Sequence, residues 1–115
     1  MKTGETGEEI AEALLKGKGY RIIKRNFRCR MGEIDLIVRQ GDTLVFVEVK
    51  TRRGTKYGLP AESITGNKVR HIRAVASFYI SFVDDDPDNG DYRFDTVEII
   101  RNGGRNYVRH TENAF

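Results

Sequence analysis

The chain has 115 residues, 38% hydrophobic and 32% charged, with 20 Lys and Arg against 17 Asp and Glu for a formal net charge of +3. This is enough chain for one core, so residues 1–115 are read as a single domain. No apolar run approaches the ~18 residues of a membrane span, the polar start lacks a signal-peptide core, and Cys29, the only cysteine, rules out an internal disulfide or cysteine-based zinc site.

The first predicted element is a helix from Gly7 to Lys16. Glu5, Glu8 and Glu9 lie near its start, Lys16 and Lys18 near its end, and Gly17 or Gly19 can stop it. Ile10, Ala11, Leu14 and Leu15 form its apolar stripe, with Glu8 on the flank of that stripe. From there the Glu8 carboxylate either leans toward a sheet or, like Glu9 and Glu12, complements the helix dipole. Tyr20–Arg25 follows as a strand whose bases suit a sheet edge.

Gly32–Val38 and Leu44–Lys50 read as two strands of a hairpin joined through Gln40-Gly41-Asp42. Strand alternation puts Glu33 and Asp35 on one face and Ile34, Leu36 and Val38 on the other. Glu48 and Lys50 likewise share a face, opposite Val45, Val47 and Val49. Folding the hairpin therefore gathers three carboxylates and one ammonium at the end of a strand that otherwise reads as buried. Charges are buried only when paired or metal-bound. One reading is a cross-strand ladder of ion pairs; the other is an oxygen-ligand site for Mg2+ or Mn2+.

Thr51–Pro60 is a basic, glycine-marked loop, and a second helix starts between Pro60 and Asn67 and ends near Phe82. Val69, Ile72, Val75, Ala76, Tyr79 and Val83 set its core face, and His71 has no partner at metal-ligand spacing. Asp84–Asp91 departs from a calcium loop in both registers and reads as a solvated connector. Arg93–Ile100 and Asn106–His110 are strands separated by a turn at Asn102-Gly103-Gly104. The helix between the Glu48 and Phe94 strands implies a crossover that makes them parallel neighbours in a mixed sheet. Bases cluster without acids between Ala13 and Gly32, between Val49 and Ala61, and between Ser63 and Val83. Such segregation suits a polyanion.

Asp35, followed after twelve residues by Glu48-Val49-Lys50, resembles the PD-(D/E)XK signature of the restriction-endonuclease-like superfamily. More closely, the chain resembles the bacterial YraN-like family of predicted nucleases, similar to archaeal Holliday junction resolvases. The matching stretches are Gly7-Glu8 with Ala11, Gly19-Tyr20, Arg25-Asn26, Gly32–Ile37, Val45–Lys50 with Arg52, Gly58 with Pro60, Lys68, Arg93-Phe94-Asp95 and Asn113-Ala114-Phe115. No proline precedes Asp35, which departs from the superfamily signature and agrees with the YraN-like form.

The resemblance implies an α/β fold with a restriction-endonuclease-like αβββαβ core, its mixed central sheet flanked by helices. It implies a metal-dependent endonuclease acting on DNA, branched or single-stranded, and leaves the choice between DNA and RNA open. Glu8, Asp35 and Glu48 would be metal ligands for Mg2+ or Mn2+, Glu33 an additional or indirect ligand, and Lys50 the residue near the attacking water. Arg52, Arg53, Lys56, Lys68, Arg25 and Arg28 are the candidate phosphate contacts. A two-fold junction would match a homodimer. The rival reading is a nucleic-acid-binding module that keeps the fold without cleavage. The expected location is the cytoplasm, with no membrane partner.

Overall fold

The structure is a computed structural model, and it describes residues 6–53, 65–84 and 90–115. Its elements are α1 (Gly7–Gly17), β1 (Arg21–Cys29), β2 (Gly32–Gln40), β3 (Thr43–Arg53), α2 (Gly66–Phe82), β4 (Tyr92–Asn102) and β5 (Arg105–Thr111). Together they form a mixed α/β fold in which five strands stand in sequence order, β1-β2-β3-β4-β5. The β3–β4 pair is parallel and the other three are antiparallel. The parallel pair is the one whose connection contains α2, as expected from a helix intervening between two strands. Among the described residues no helix is long and apolar enough to cross a membrane.

The sheet carries one helix on each face, and each helix has its own core. Ala11 and Leu15 of α1 pack on Leu36, Val38, Val45, Val47, Val97 and Ile99. On the other face Ile72, Val75, Ala76 and Tyr79 of α2 meet Ile34, Ile37, Leu44, Phe46 and Phe94. The fully buried run Leu36–Val38 supplies both cores alternately, because a central strand covered on both sides has no solvent face.

Local chemistry sets the ends. A capping box starts α1: Glu9 donates its backbone N–H to Thr6 Oγ1 at 3.1 Å, and Thr6 donates its own to Glu9 Oε1 at 2.8 Å. Thr65 caps α2 at the Lys68 N–H, 3.3 Å away, so the helix begins at Gly66. The β4–β5 hairpin closes between Asn102 and Arg105 through Gly103 and Gly104, both with positive φ (59° and 80°), as a tight turn matched to strand twist requires.

Three expectations need correction. β1 runs past Arg25 to Cys29, because pairing with Gly32–Ile34 carries its polar second half into the ladder. Arg52 and Arg53 belong to β3 and not to the following loop, since the parallel ladder continues to the pair Arg53↔Arg101. Asp84 is not a solvated residue: it lies 3.4 Å from Arg39 in a largely buried ion pair. The rest of the acidic connector, residues 85–89, lies outside the described residues, as do Lys56, Gly58 and Pro60.

Candidate active site

Asp35 sits where β2 parts from β3. The β2–β3 ladder runs from Gln40↔Thr43 to Leu36↔Val47, and the next contact is a side-chain one: the Val49 N–H donates to Asp35 Oδ2 at 2.8 Å. On the other side, Asn26 lies between the pairs Arg25↔Leu36 and Phe27↔Ile34, and its φ of 50° is left-handed. Asparagine tolerates that conformation better than most residues. The kink has a consequence for the faces. Ile34 packs with Ile37 under α2, while Leu36 and Val38 pack under α1, so strict alternation fails at Asp35. The expectation that Ile34, Leu36 and Val38 share a face is therefore wrong, and Asp35 occupies the switch point.

Glu48 is only 4% exposed, on the α2 side of β3, and the Lys68 ammonium from the first turn of α2 lies directly on its Oε2. Thr65 capping fixes where that turn begins, which brings Lys68 over the sheet. Asp35 and Glu48 share a hydrogen bond. Burial first, and then this contact with Glu48, push the Asp35 carboxyl up to about 7, against the opposing pull of the Val49 N–H and the Lys68 charge. Two adjacent carboxylates out of water cannot both ionise cheaply, so the pair holds a proton into the neutral range. The hydrogen bond to Glu48 likewise raises the Lys68 ammonium above the usual lysine value, with the Asp35 and Glu33 charges adding to it.

Glu8 approaches from α1. Half-buried, it lines a groove of about 510 Å3 with Glu9, Glu12, Arg25, Asn26 and Asp35. The helix end reaches this place because Gly7 is buried on β3, where a β-carbon would collide with the Thr51 hydroxyl. The three helix carboxylates have separable roles. Glu9 closes the capping box, and Glu12 takes Arg25 Nε at 2.8 Å on Oε2 and Lys16 at 3.1 Å on Oε1. The Arg25 guanidinium first of all holds Glu12 down at about 2. Glu8 is left as the first-turn acid facing the same groove as Asp35.

The structure brings Asp35 and Glu48 together and places Lys50 on the Glu48 face, two residues further along β3. It does not bring Glu33 to them: that side chain is exposed, 3.4 Å from Arg28. Among the described residues no three His, Cys, Asp or Glu side chains stand close enough to hold a metal together. Of the expected phosphate contacts, Arg25, Arg28, Arg52 and Lys68 face Glu12, Glu33, Glu98 and Glu48 respectively, Arg53 is exposed, and Lys56 lies outside the described residues.

Sequence reasoning missed three things here. Thr6-x-x-Glu9 was a readable capping signal. The Lys68–Glu48 pair had none, because it depends on how α2 docks on the sheet. Glu98, buried to 1% exposure on β4, read only as one more strand residue.

The family model described as Uncharacterised protein family UPF0102 matches residues 7–99. A UPF0102 protein of Caldicellulosiruptor saccharolyticus is 50% identical over 99 residues, covering 86% of this chain and 82% of the relative. Another, from Symbiobacterium thermophilum, is 48% identical over 115 residues, covering 99% and 96%. A third, from Syntrophomonas wolfei, is 40% identical over 112 residues, covering 97% and 96%. The match takes in α1, the Asp35–Glu48 hairpin and α2, and on this ground the chain belongs to the UPF0102 family, the YraN-like family that its motifs resemble.

Proposed function

We propose that this protein is a metal-dependent endonuclease that hydrolyses phosphodiester bonds in DNA, branched or single-stranded, on a restriction-endonuclease-like core. The observation that carries the reading is the Asp35–Glu48 pair: two carboxylates held against each other at the point where β2 and β3 diverge, with Lys50 two residues beyond Glu48. As a stability device this arrangement is poor, since packed apolar side chains do the same work at less cost. As a cation site it is apt.

The donor set fits Mg2+ or Mn2+, which prefer carboxylate oxygen and retain waters. Asp35 and Glu48 would hold the ion, with Glu8 reaching in from the groove. The chemistry such an ion supplies when bound is polarisation of the phosphodiester and activation of water. The protein's own groups do the rest. The Val49 N–H orients Asp35, Lys68 holds Glu48, and Lys50 orients the nucleophile and offsets charge growing at phosphorus. Arg53, exposed at the end of β3, contacts backbone phosphate.

The test is cleavage of matched single-stranded, duplex, flap and four-way-junction DNA, and of RNA, with Mg2+, Mn2+ or EDTA. Wild type should cut with metal only, and Asp35→Ala and Lys50→Ala should each lose about 100-fold or more. Absence of cleavage on every substrate, with salt-sensitive binding untouched by Asp35→Ala, would replace the nuclease with a nucleic-acid-binding module.

A further inference from the structure

Glu98 is a buried acid that the proposed chemistry does not use. It is 1% exposed, on β4, facing the same side of the sheet as Glu48. Its Oε2 lies 3.1 Å from Arg52 Nε, and Arg109 Nε stands 3.9 Å from its Oε1, which accepts no hydrogen bond among the described residues. The register makes a row of three strands: Lys50 of β3 pairs with Glu98 of β4, which pairs with Arg109 of β5. The row beside it is Glu48, Thr96 and Thr111. The Glu98 carboxylate thus stands between Arg52 and Arg109, two residues along the sheet from the Glu48 row.

We propose that Glu98 is a positioning residue for nucleic-acid binding: its carboxylate holds Arg52 and Arg109 side by side as a clamp for backbone phosphates of the strand that passes Asp35, Glu48 and Lys50. The clamp rests on the nuclease reading above, because it extends the track of that site across β4 to β5. A guanidinium presents its donors in a rigid fork that matches phosphate, so an arginine held in place by a carboxylate is aimed before it binds. Both side chains keep part of their surface in solvent, 19% for Arg52 and 35% for Arg109. Fixed in advance by Glu98, the two forks lose less freedom on binding than loose arginines would.

The test is binding of a four-way junction and a duplex in EDTA, followed by fluorescence anisotropy over a range of salt, with circular dichroism and melting of each variant alongside. Glu98→Gln keeps the shape and deletes the charge. Simple electrostatics requires it to bind a polyanion as well as wild type or better. The clamp requires the reverse: about tenfold weaker binding, and a log–log salt slope shallower by about 1.8, the loss of two phosphate contacts. Arg52→Lys preserves the charge but not the fork, and should also bind about tenfold more weakly; it decides the matter if Glu98→Gln does not fold. Wild-type binding and cleavage with both variants binding as tightly as wild type would overturn the clamp alone. Wild type without salt-dependent DNA binding would overturn the clamp and the nuclease together.

Discussion

At the scale of single residues, Asp35 links the geometry of the site to stability. Its carboxyl is raised from 3.8 to about 7 in the fold by burial and then by Glu48. Because the folded chain keeps its proton where the unfolded chain has lost it, stability falls as pH rises through that interval and stays reduced above it. Asp35→Asn removes the charge while retaining an acceptor for the Val49 N–H. Chemical denaturation of the metal-free protein at pH 8 should therefore find Asp35→Asn more stable than wild type by roughly 1–3 kcal/mol, with the difference vanishing below pH 4. An equal or lower stability at pH 8 would mean that the pair carries no strain. Lys68→Ala should act oppositely, removing the cation that lies on the buried Glu48 carboxylate at a cost of about 3–5 kcal/mol.

At the scale of elements, the entry of α1 onto the sheet depends on Gly7. A methyl group there would meet Thr51, lifting the helix end that carries Glu8 away from Asp35. Gly7→Ala should cost about 1–3 kcal/mol in denaturant melts, and Thr51→Ala in the same chain should restore most of it by removing the hydroxyl. Failure of the second change to rescue the first would move the cause from the collision to the helix itself.

The elements also show what the sequence could and could not reveal. The two helices, the hairpin and the parallel β3–β4 pair were readable because apolar period, turn residues and element order each act locally. The far half of β1 was not, as Arg25, Asn26 and Arg28 look like a loop until Gly32–Ile34 pairs with them. The switch at Asp35 was hidden for the same reason: a strand read alone alternates, and the break comes from Asn26 on its neighbour. Asp35, Glu48 and Lys50 stood out through spacing and charge in apolar surroundings, whereas Glu98 became notable only once β4 was seen between Lys50 and Arg109.

At the scale of the whole molecule, the last residues are tied to the sheet by a third buried acid. Asp95, fully buried, accepts from Arg93 at 2.9 and 3.0 Å and from the Asn113 N–H at 3.1 Å, and its Oδ2 lies 2.8 Å from His110 Nε2. Arg93 also donates to the Tyr20 hydroxyl at 2.7 Å, and the Ala114 N–H donates to the Phe94 carbonyl at 2.8 Å. Phe115 lays its ring 5.3 Å from that of Phe94. The polar part of this network joins the β1 entry, β4 and β5 on the side of the sheet covered by α1, whereas Phe115 and Phe94 meet on the side covered by α2. Asp95→Ala leaves the Arg93 charge without its buried partner, with only the exposed Glu112 at 3.9 Å, and should cost about 3–5 kcal/mol. A thermal melt would register this as a large drop, and a melting temperature within a degree or two of wild type would show that the tail is held by packing instead.

The central claim is that Asp35 and Glu48 form a cation site for phosphodiester hydrolysis. Its most direct measurement is Mn2+ binding to wild type and Asp35→Asn at pH 7.5, followed by electron paramagnetic resonance of the free ion. Saturable binding in wild type that disappears in the folded Asp35→Asn protein is the expected result. Indistinguishable titrations of the two proteins would contradict the account.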